Sequence, residues 1–509
     1  MKVLVTGGSG VVGIAAVEAL IRRGHEVRVF NRDAAADVAR WEGVESRDGS
    51  IAAAGELEGA AEACEAVLHI AGIVDETPPA STFAKVNVEG TRNVVEEARR
   101  AGVKNLVFVS SLGAERGSSD YHKSKVAAEE LVRAFGGSWI ICRLGNVYGA
   151  GDEVISSLLK MMRATPVMPV IGSGDDPFQP LWSEDAGEAL ARCVERPDLR
   201  GRVLDLAGPD KTSINDILDR LSAIIGRKPA RVAIPASVIG FGARIAKAAG
   251  IKLPVNESHL AMLAEHSVIG SNSEDALTAV LHLAATPLDV GLRKLADVLP
   301  EQLPADGFGG ITRRCHHVDI AGSSMSAEGL FARFRLRFAD LTPWTMDLSA
   351  EEGTPQTLTA GATLTMALPF RGNIQVRVVE VSDLRLTLVT VAGHPIAGGV
   401  TFAAEESGAT IRFQATAYDR AANAADWLAM STVGRPLQSS TWRTLLENVV
   451  RESGGTAPDG VHEKSDVLDE IEAQDVTTWL DGIVATHKRT GKSKSRPSRA
   501  HTAPASGRA

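Results

Sequence analysis

The chain has 509 residues, 44% of them hydrophobic and 23% charged, and a formal net charge of −9. At roughly 150 residues per domain this length suggests about three compact units, and the acidic balance argues against nucleic acid as a partner. Cys64, Cys142, Cys193 and Cys315 are scattered with no C-x-x-C pair, a pattern that indicates neither a disulfide framework nor a zinc knuckle and suits a reducing cytoplasm, the expected location.

Met1 leads directly into Val3-Leu4-Val5, so no signal peptide is expected. Residues 1–150 alternate short apolar runs with amphipathic stretches. Strands are expected at Lys2–Thr6, Glu26–Phe30, Ala66–Ile70, Leu106–Ser110 and Trp139–Arg143, with helices such as Val11–Arg23 and Val88–Arg100 between them. Gly24 and Gly102 follow two of those helices, where a left-handed residue is wanted. The alternation reads as right-handed βαβ units in a parallel sheet, an α/β Rossmann fold. Residues 151–300 are more helical and suit a substrate-binding segment. No apolar run reaches the roughly 18 residues of a membrane span. The nearest approach, Val232–Ala249, carries Arg244 and Lys247 and reads as a wall helix of that segment, with a peripheral membrane contact as the alternative.

Residues 301–310, with Pro304, Gly307, Gly309 and Gly310, read as a linker. Beyond it the period changes to two. Ala362, Leu364, Met366 and Leu368 alternate with other residues; so do Ile374, Val376 and Val378, then Leu384, Leu386 and Leu388, then Ile411, Phe413, Ala415 and Ala417. An antiparallel sheet is expected over 311–485, followed within that span by a long helix at Pro436–Glu452, hence an α+β domain. Residues 486–509 are Lys-, Arg-, Ser- and Pro-rich and read as a disordered basic tail.

Chemistry concentrates in the first 150 residues. Thr6-Gly7-Gly8-Ser9-Gly10-Val11-Val12-Gly13 fits both G-x-G-x-x-G and T-G-x-x-G-x-x-G. Between a strand and a helix, such a turn brings a pyrophosphate to the helix N-terminus. The second strand ends at Asn31-Arg32-Asp33. An NAD site usually carries an acidic reader of the ribose there; an amide followed by a guanidinium favours a 2′-phosphate. The expected cofactor is therefore NADP, with NAD as the alternative if Asp33 serves as the reader. Asp48-Gly49, after the third strand, is either an adenine contact or an ordinary turn.

Tyr121 has Lys125 four residues later, on one face of a helix. A phenol near pKa 10 needs a neighbouring cation to serve as acid or base near neutral pH, and Lys125 and an oxidised nicotinamide would supply it. Ser111, at a strand end, would bond the same substrate oxygen. The set suits transfer of a proton and a hydride between carbonyl and carbinol.

With the glycine turn, Tyr121/Lys125, Val109-Ser110-Ser111, His69-Ile70-Ala71-Gly72, Asn87-Val88-Glu89-Gly90-Thr91 and Arg143-Leu144-Gly145-Asn146-Val147-Tyr148-Gly149 in order, the chain resembles the extended or atypical short-chain dehydrogenases/reductases. The resemblance implies Tyr121 as acid/base, Lys125 on the nicotinamide ribose, and Ser111 orienting the substrate. It further implies Ala71 and Gly72 beside the cofactor, Asn87 supporting the lysine, and the Gly145-Asn146-Val147 loop near the nicotinamide. Gly172 with Gly174, Gln179-Pro180-Leu181-Trp182, Ala207-Gly208-Pro209 and Thr286–Leu292 resemble the atypical branch related to the accessory NADPH-binding subunit of respiratory complex I. Some members of that branch bind NADPH without turnover.

The expected function is an NADP(H)-dependent oxidoreductase acting on a small or lipid-like substrate. The alternatives are a nucleotide-sugar epimerase/dehydratase and a non-catalytic NADPH-binding module. Residues 311–455 resemble the START-like helix-grip superfamily, in which a curved sheet and a C-terminal helix enclose an apolar cavity; Gly393–Gly398 carries part of the likeness. A filled structural core is the alternative. Cys315-His316-His317 is read as structural, since neighbours on a strand face opposite ways and no further ligand pair stands nearby. His394, before a proline, is assigned no chemistry.

Overall fold

The computed structural model describes residues 1–164, 167–226, 228–234, 268–270, 275–297, 299–343, 358–368, 372–422 and 435–494. The chain divides into two compact units, Met1–Leu299 and Pro300–Ala509.

In the first unit the strands are β1 (Lys2–Thr6), β2 (Glu26–Asn31), β3 (Glu45–Asp48), β4 (Ala66–His69), β5 (Asn105–Ser111), β6 (Ser138–Leu144), β7 (Val147–Tyr148), β8 (Val167–Ile171), β9 (Leu181–Trp182), β10 (Arg202–Leu206) and β11 (Ala230–Ile234). Seven of them form one sheet in the order β10-β6-β5-β4-β1-β2-β3, and every pairing is parallel. The order reverses beside β1, so the crevice at the C-terminal ends of β1 and β4 is the topological switch point where α/β proteins bind ligands. Val3, Val5, Val29, Leu68, Val107 and Cys142 are buried on one face and Leu4, Phe30, Val67, Phe108 and Ile141 on the other, as expected of parallel strands covered on both sides. The helices that position the crevice are α1 (Val11–Arg22), α2 (Gly90–Arg100), α3 (Asp120–Arg133) and α4 (Ser183–Glu195). Gly24 and Gly102 take φ +81° and +69°, the left-handed stops their positions predict.

Two small parallel pairs complete this unit: β7 with β9, and β8 with β11. Val232–Ile234, expected to open a wall helix, instead close β11; 235–249 lie outside the described residues. The segments likened to the atypical branch meet in space. Gln179 donates to the Gly208 carbonyl (2.6 Å), and Thr286 bonds through its backbone N–H and hydroxyl to Asp185, on the helix that follows Trp182. No helix among the described residues is long and apolar enough to cross a membrane.

The second unit holds β12 (Phe308–Ala321), β13 (Thr363–Leu368), β14 (Gly372–Val381), β15 (Arg385–Thr390), β16 (Ile396–Ser407), β17 (Thr410–Ala421) and β18 (His462–Val467). Their order is β13-β14-β15-β16-β17-β12-β18, with every neighbour antiparallel. Helices α5 (Ala327–Leu336), α6 (Phe338–Leu341) and α7 (Arg435–Ser453) pack on one face, where Phe331, Phe334, Phe338, Phe402, Phe413, Trp442, Leu445 and Leu446 are buried together. Ring-on-ring contacts run through this interior, such as Phe334 with Phe402 and Phe413 at 5.2 and 5.0 Å.

The stretch 301–310, expected as a linker, is tied into this unit. The Gln302 amide donates to the carbonyls of His394 and Ile396 and accepts from Gly393 N, Glu301 pairs with the buried Arg377 (2.6 Å), and β12 already begins at Phe308. Gly309 and Gly310 lie where the β12–β17 register shifts, between Phe308 and Thr312. The expected tail is also corrected at its start. Helix α8 (Glu470–Lys494) runs through 486–494 and sets Leu480 and Val484 against Val379 and Val389; 495–509 lie outside the described residues. Cys315 and His317 share a face, as alternation requires. His317 stacks on His462 at 4.9 Å, and no metal-binding group forms among the described residues.

Candidate active site

The crevice begins with the glycine turn. Gly7 stands at φ +77°, and a Cβ there would lie 2.6 Å from Ala71 N. A Cβ on Gly13 would lie 2.0 Å from Gly7 O, and one on Gly8 2.9 Å from a Val29 methyl. These three glycines let α1, β4 and β2 close on the turn. Gly10 is different. It is exposed, with ordinary extended φ, and a Cβ there would come no nearer to protein than 3.8 Å. Its bareness answers no packing need, and α1, which it precedes, has no side chain capping its N-terminus. Open space in front of uncapped helical N–H groups fits a phosphate. Ser9 is exposed beside it; Val11 and Val12 are half-buried in the first turn of α1.

Asn31 does not face the adenosine side as expected. Its Oδ1 accepts from Gly7 N (2.9 Å) and Gly8 N (3.1 Å), bracing the turn, and its Nδ2 donates to Asp37 (2.9 Å). Asp37 therefore brings a carboxylate close to the β2 end, a neighbour the linear motif did not reveal. Arg32 and Asp33 are both exposed there. Asp48 accepts from Ala35 N (3.1 Å), and Gly49 lies under Phe30, where a Cβ would come within 2.6 Å of the ring.

At the other side of β1, Lys125 is buried on α3. Its Nζ donates to Val109 O (2.8 Å), lies 4.8 Å from the centre of the Phe108 ring, and would be 3.7 Å from a Cβ on Gly72. Burial pushes this ammonium down to about 8, against an opposing pull from Glu129. Asn87 holds the chain beside Gly72: its Oδ1 accepts from Ile73 N (2.8 Å), and its Nδ2 donates to Ile73 O and to Ser124 Oγ (both 3.0 Å). Ser111 ends β5; its hydroxyl lies 3.2 Å from His122 Nε2 and favours the ionised form of the Tyr121 phenol. Lys125 is not among the groups that shift the Tyr121 phenol. Burial pushes Tyr121 up to about 12, opposed by the Ser111 hydroxyl. Lys125, itself desolvated, gives one of its three protons to the Val109 carbonyl and faces the Phe108 ring.

Two further groups were not singled out by sequence reasoning. His69 is buried between Thr6 Oγ1 (2.7 Å) and Thr91 Oγ1 (3.0 Å). Because the Thr91 hydroxyl donates to Asn87 O (2.6 Å), it accepts from His69 Nε2, which leaves Nδ1 to accept from Thr6. Burial, with Lys125 nearby, brings this imidazole down to about 3. Glu129, on the turn of α3 after Lys125, receives Ser110 Oγ (2.6 Å) and Arg143 through Nε and Nη2 (2.9 and 2.6 Å). Burial alone would raise its carboxyl, but these partners hold it below the usual range. The pair fixes β5, α3 and β6 relative to one another. In the Gly145-Asn146-Val147 loop, Gly145 is bare because a Cβ would meet Gln179 O at 2.4 Å. Asn146 Oδ1 is buried with no hydrogen-bond partner among the described residues, an acceptor that a bound amide could satisfy, and Val147 is half-buried beside it.

A parallel sheet with its switch point at a bare glycine turn, and a Ser–Tyr–Lys set across the crevice, define a dinucleotide-dependent oxidoreductase domain. The chain belongs to the NAD dependent epimerase/dehydratase family, whose model matches residues 3–207, and it is an NAD(P)-dependent oxidoreductase of the extended short-chain dehydrogenase/reductase kind. It is 32% identical over 235 residues to a ceramide reductase of Caulobacter vibrioides, a match covering 46% of this chain and 73% of the relative. Over 182 residues it is 30% identical to a 3-beta-hydroxysteroid dehydrogenase of Mycolicibacterium neoaurum, covering 30% of this chain and 50% of that one. Among solved structures, MoeE5 in complex with UDP-glucose and NAD is similar at 21% identity and a TM-score of 0.44, covering 58% of this chain and 97% of its own.

Proposed function

We propose that residues 1–299 interconvert a carbonyl and a hydroxyl on a lipid-like substrate with NADP(H) as the cofactor. The observation that carries this reading is the Ser111–Tyr121 pair standing, with Lys125, at the strand ends opposite the open Gly10 cradle. The bound dinucleotide supplies the hydride. Gly10 and the first turn of α1 would hold its pyrophosphate, Lys125 its nicotinamide ribose, and the exposed Arg32 a 2′-phosphate. Ser111 would orient the carbonyl oxygen and Tyr121 would give it a proton. A protonated phenol at rest suits the reducing direction, in which the tyrosine acts as acid. The substrate class rests on relatives named for ceramide and for 3-beta-hydroxysteroids. Asp37, held against Asn31, is the feature that favours NAD as the second choice.

The test is oxidation of NADPH and of NADH by the full chain with an oxidised ceramide and a 3-ketosteroid, beside Tyr121→Phe. Turnover that Tyr121→Phe lowers by about a thousandfold, while NADPH affinity stays within about twofold, is the expected result. A wild-type chain that binds NADPH but oxidises none across a broad carbonyl panel would instead be a binding module. Firm retention of NAD(H) through purification would point to the epimerase-type alternative.

A further inference from the structure

We propose that the second unit carries a binding site for a neutral, hydroxyl-bearing ring of monosaccharide size, on the face of its sheet turned away from the aromatic interior. A cavity of about 350 Å³ opens there between the sheet and α8. Its floor lies on β16 and β17, where Thr401 pairs with Thr416 and Ala403 with Gln414. These residues alternate with Phe402, Phe413 and Ala415, which face the interior, so the floor is small and polar where the other face is apolar. Leu480 and Val484 anchor α8 on Val379 and Val389. Asp475 and Trp479, one helical turn apart, then form the wall above the floor. Trp479 meets Tyr418 edge to face, with ring centres 5.7 Å apart. Arg385 borders the cavity from β15, paired with Ala403.

The polar groups around this cavity are left over from the fold. Arg313, Arg333, Arg337, Arg377 and Arg412 of the same unit each pair with a carboxylate. Among the described residues, the side chains of Arg385, Gln414, Tyr418 and Asp475 make no hydrogen bond or ion pair, although all four line one cavity. Such a set selects by chemistry. A hydrocarbon chain would strip water from Arg385 and Asp475 and return no hydrogen bond. An anion is drawn by Arg385 but repelled by Asp475, and a cation meets the reverse. A small zwitterion matches the two charges but brings no hydroxyl for Gln414 and Tyr418. A hydroxyl both accepts and donates. One on the ring would accept from Arg385, another would donate to Asp475, and the Gln414 amide and Tyr418 phenol can take either role. The C–H face of the ring would rest on the Trp479 indole. The volume stands at the low end of the roughly 300–1,000 Å³ of small-molecule sites, which suits one ring and not an oligomer. A free sugar and the head group of a glycosyl lipid present the same chemistry.

NMR of the full chain with 15N-labelled tryptophan tests the site. The Trp479 indole signal, assigned by its loss in Trp479→Phe, is followed while glucose, galactose or mannose is added, then glycine or phenylalanine, then phosphatidylcholine vesicles with and without a monoglucosyl lipid. A saturating shift with at least one free sugar is expected. A shift with the glucosyl vesicles alone would also support the site and assign the ring to a lipid head group. Arg385→Ala and Asp475→Ala, both at exposed positions, should keep the urea midpoint and each weaken binding by about tenfold or more, the loss of a hydrogen bond to a charged group. If either lowers the midpoint, Arg385→Gln or Asp475→Asn takes its place with the same expectation. No shift with any sugar or glucosyl vesicle, a shift that keeps its affinity in both variants, or a response to the amino acids alone overturns the proposal.

Discussion

A single methyl group separates two kinds of glycine in the first turn. In the linear motif Gly7, Gly10 and Gly13 are equivalent. In the fold, a Cβ on Gly13 would drive into Gly7 O at 2.0 Å, whereas one on Gly10 would meet no protein atom inside 3.8 Å. Gly13→Ala should therefore lower stability by roughly 3 kcal/mol or more, the upper range of overpacking. Gly10→Ala should leave the urea midpoint unchanged and weaken NADPH binding by about tenfold or more, since the methyl occupies the pyrophosphate approach. Calorimetric titration beside urea melts checks both, and wild-type affinity in Gly10→Ala would remove the cradle argument. The same limit on the linear motif applied at Asn31. Its place at the β2 end was legible, but the direction of its amide depends on Asp37 six residues away and on the turn it braces.

Elements were legible where one periodicity governed them. β1, β2, β4, β5 and β6 of the parallel sheet and the helix around Pro436–Glu452 could be read from apolar spacing; β3, whose four residues are all polar, and β10 at the sheet edge could not. β16 could not, because Gly398 and Gly399 interrupt its alternation; a Cβ on Gly398 would lie 2.1 Å from Tyr418 O on the paired strand. The polar ties between elements were also hidden. His69 joins β4 to β1 and α2 through Thr6 and Thr91, contacts 63 and 22 residues apart in sequence. Its folded value of about 3 lies below the ordinary 6.5. Between those values the unfolded chain binds a proton that the folded chain does not, so stability is complete above pH 6.5 and falls as pH drops toward 3. The loss approaches roughly 4 kcal/mol for a group this buried. His69→Gln should cost stability at neutral pH and flatten the fall in urea midpoint from pH 6.5 to 4. An equally steep fall in the variant would assign the acid sensitivity to other groups.

At the scale of the whole molecule, two separate interiors follow from two separate patterns. The parallel sheet buries aliphatic residues on both faces, while the antiparallel sheet packs an aromatic set, Phe331, Phe334, Phe338, Phe402, Phe413 and Trp442, on one. The change of period marked the second unit in the sequence. Its first residues were obscured because Gly307, Gly309 and Gly310 look like a loop, although Gln302 is already clamped onto the turn at Gly393–Ile396. Every group assigned to the dinucleotide lies in Met1–Leu299, so binding should stabilise that unit and not the other. Scanning calorimetry of the full chain should resolve two transitions. At a concentration 100 times its Kd, NADPH adds about 2.7 kcal/mol to the state that binds it, which moves a unit of this size by about 5 °C. The transition that moves should be the one that Gly13→Ala lowers, and the other should stay in place. If both move together, unfolding of the second unit is coupled to the first and the two interiors do not melt independently.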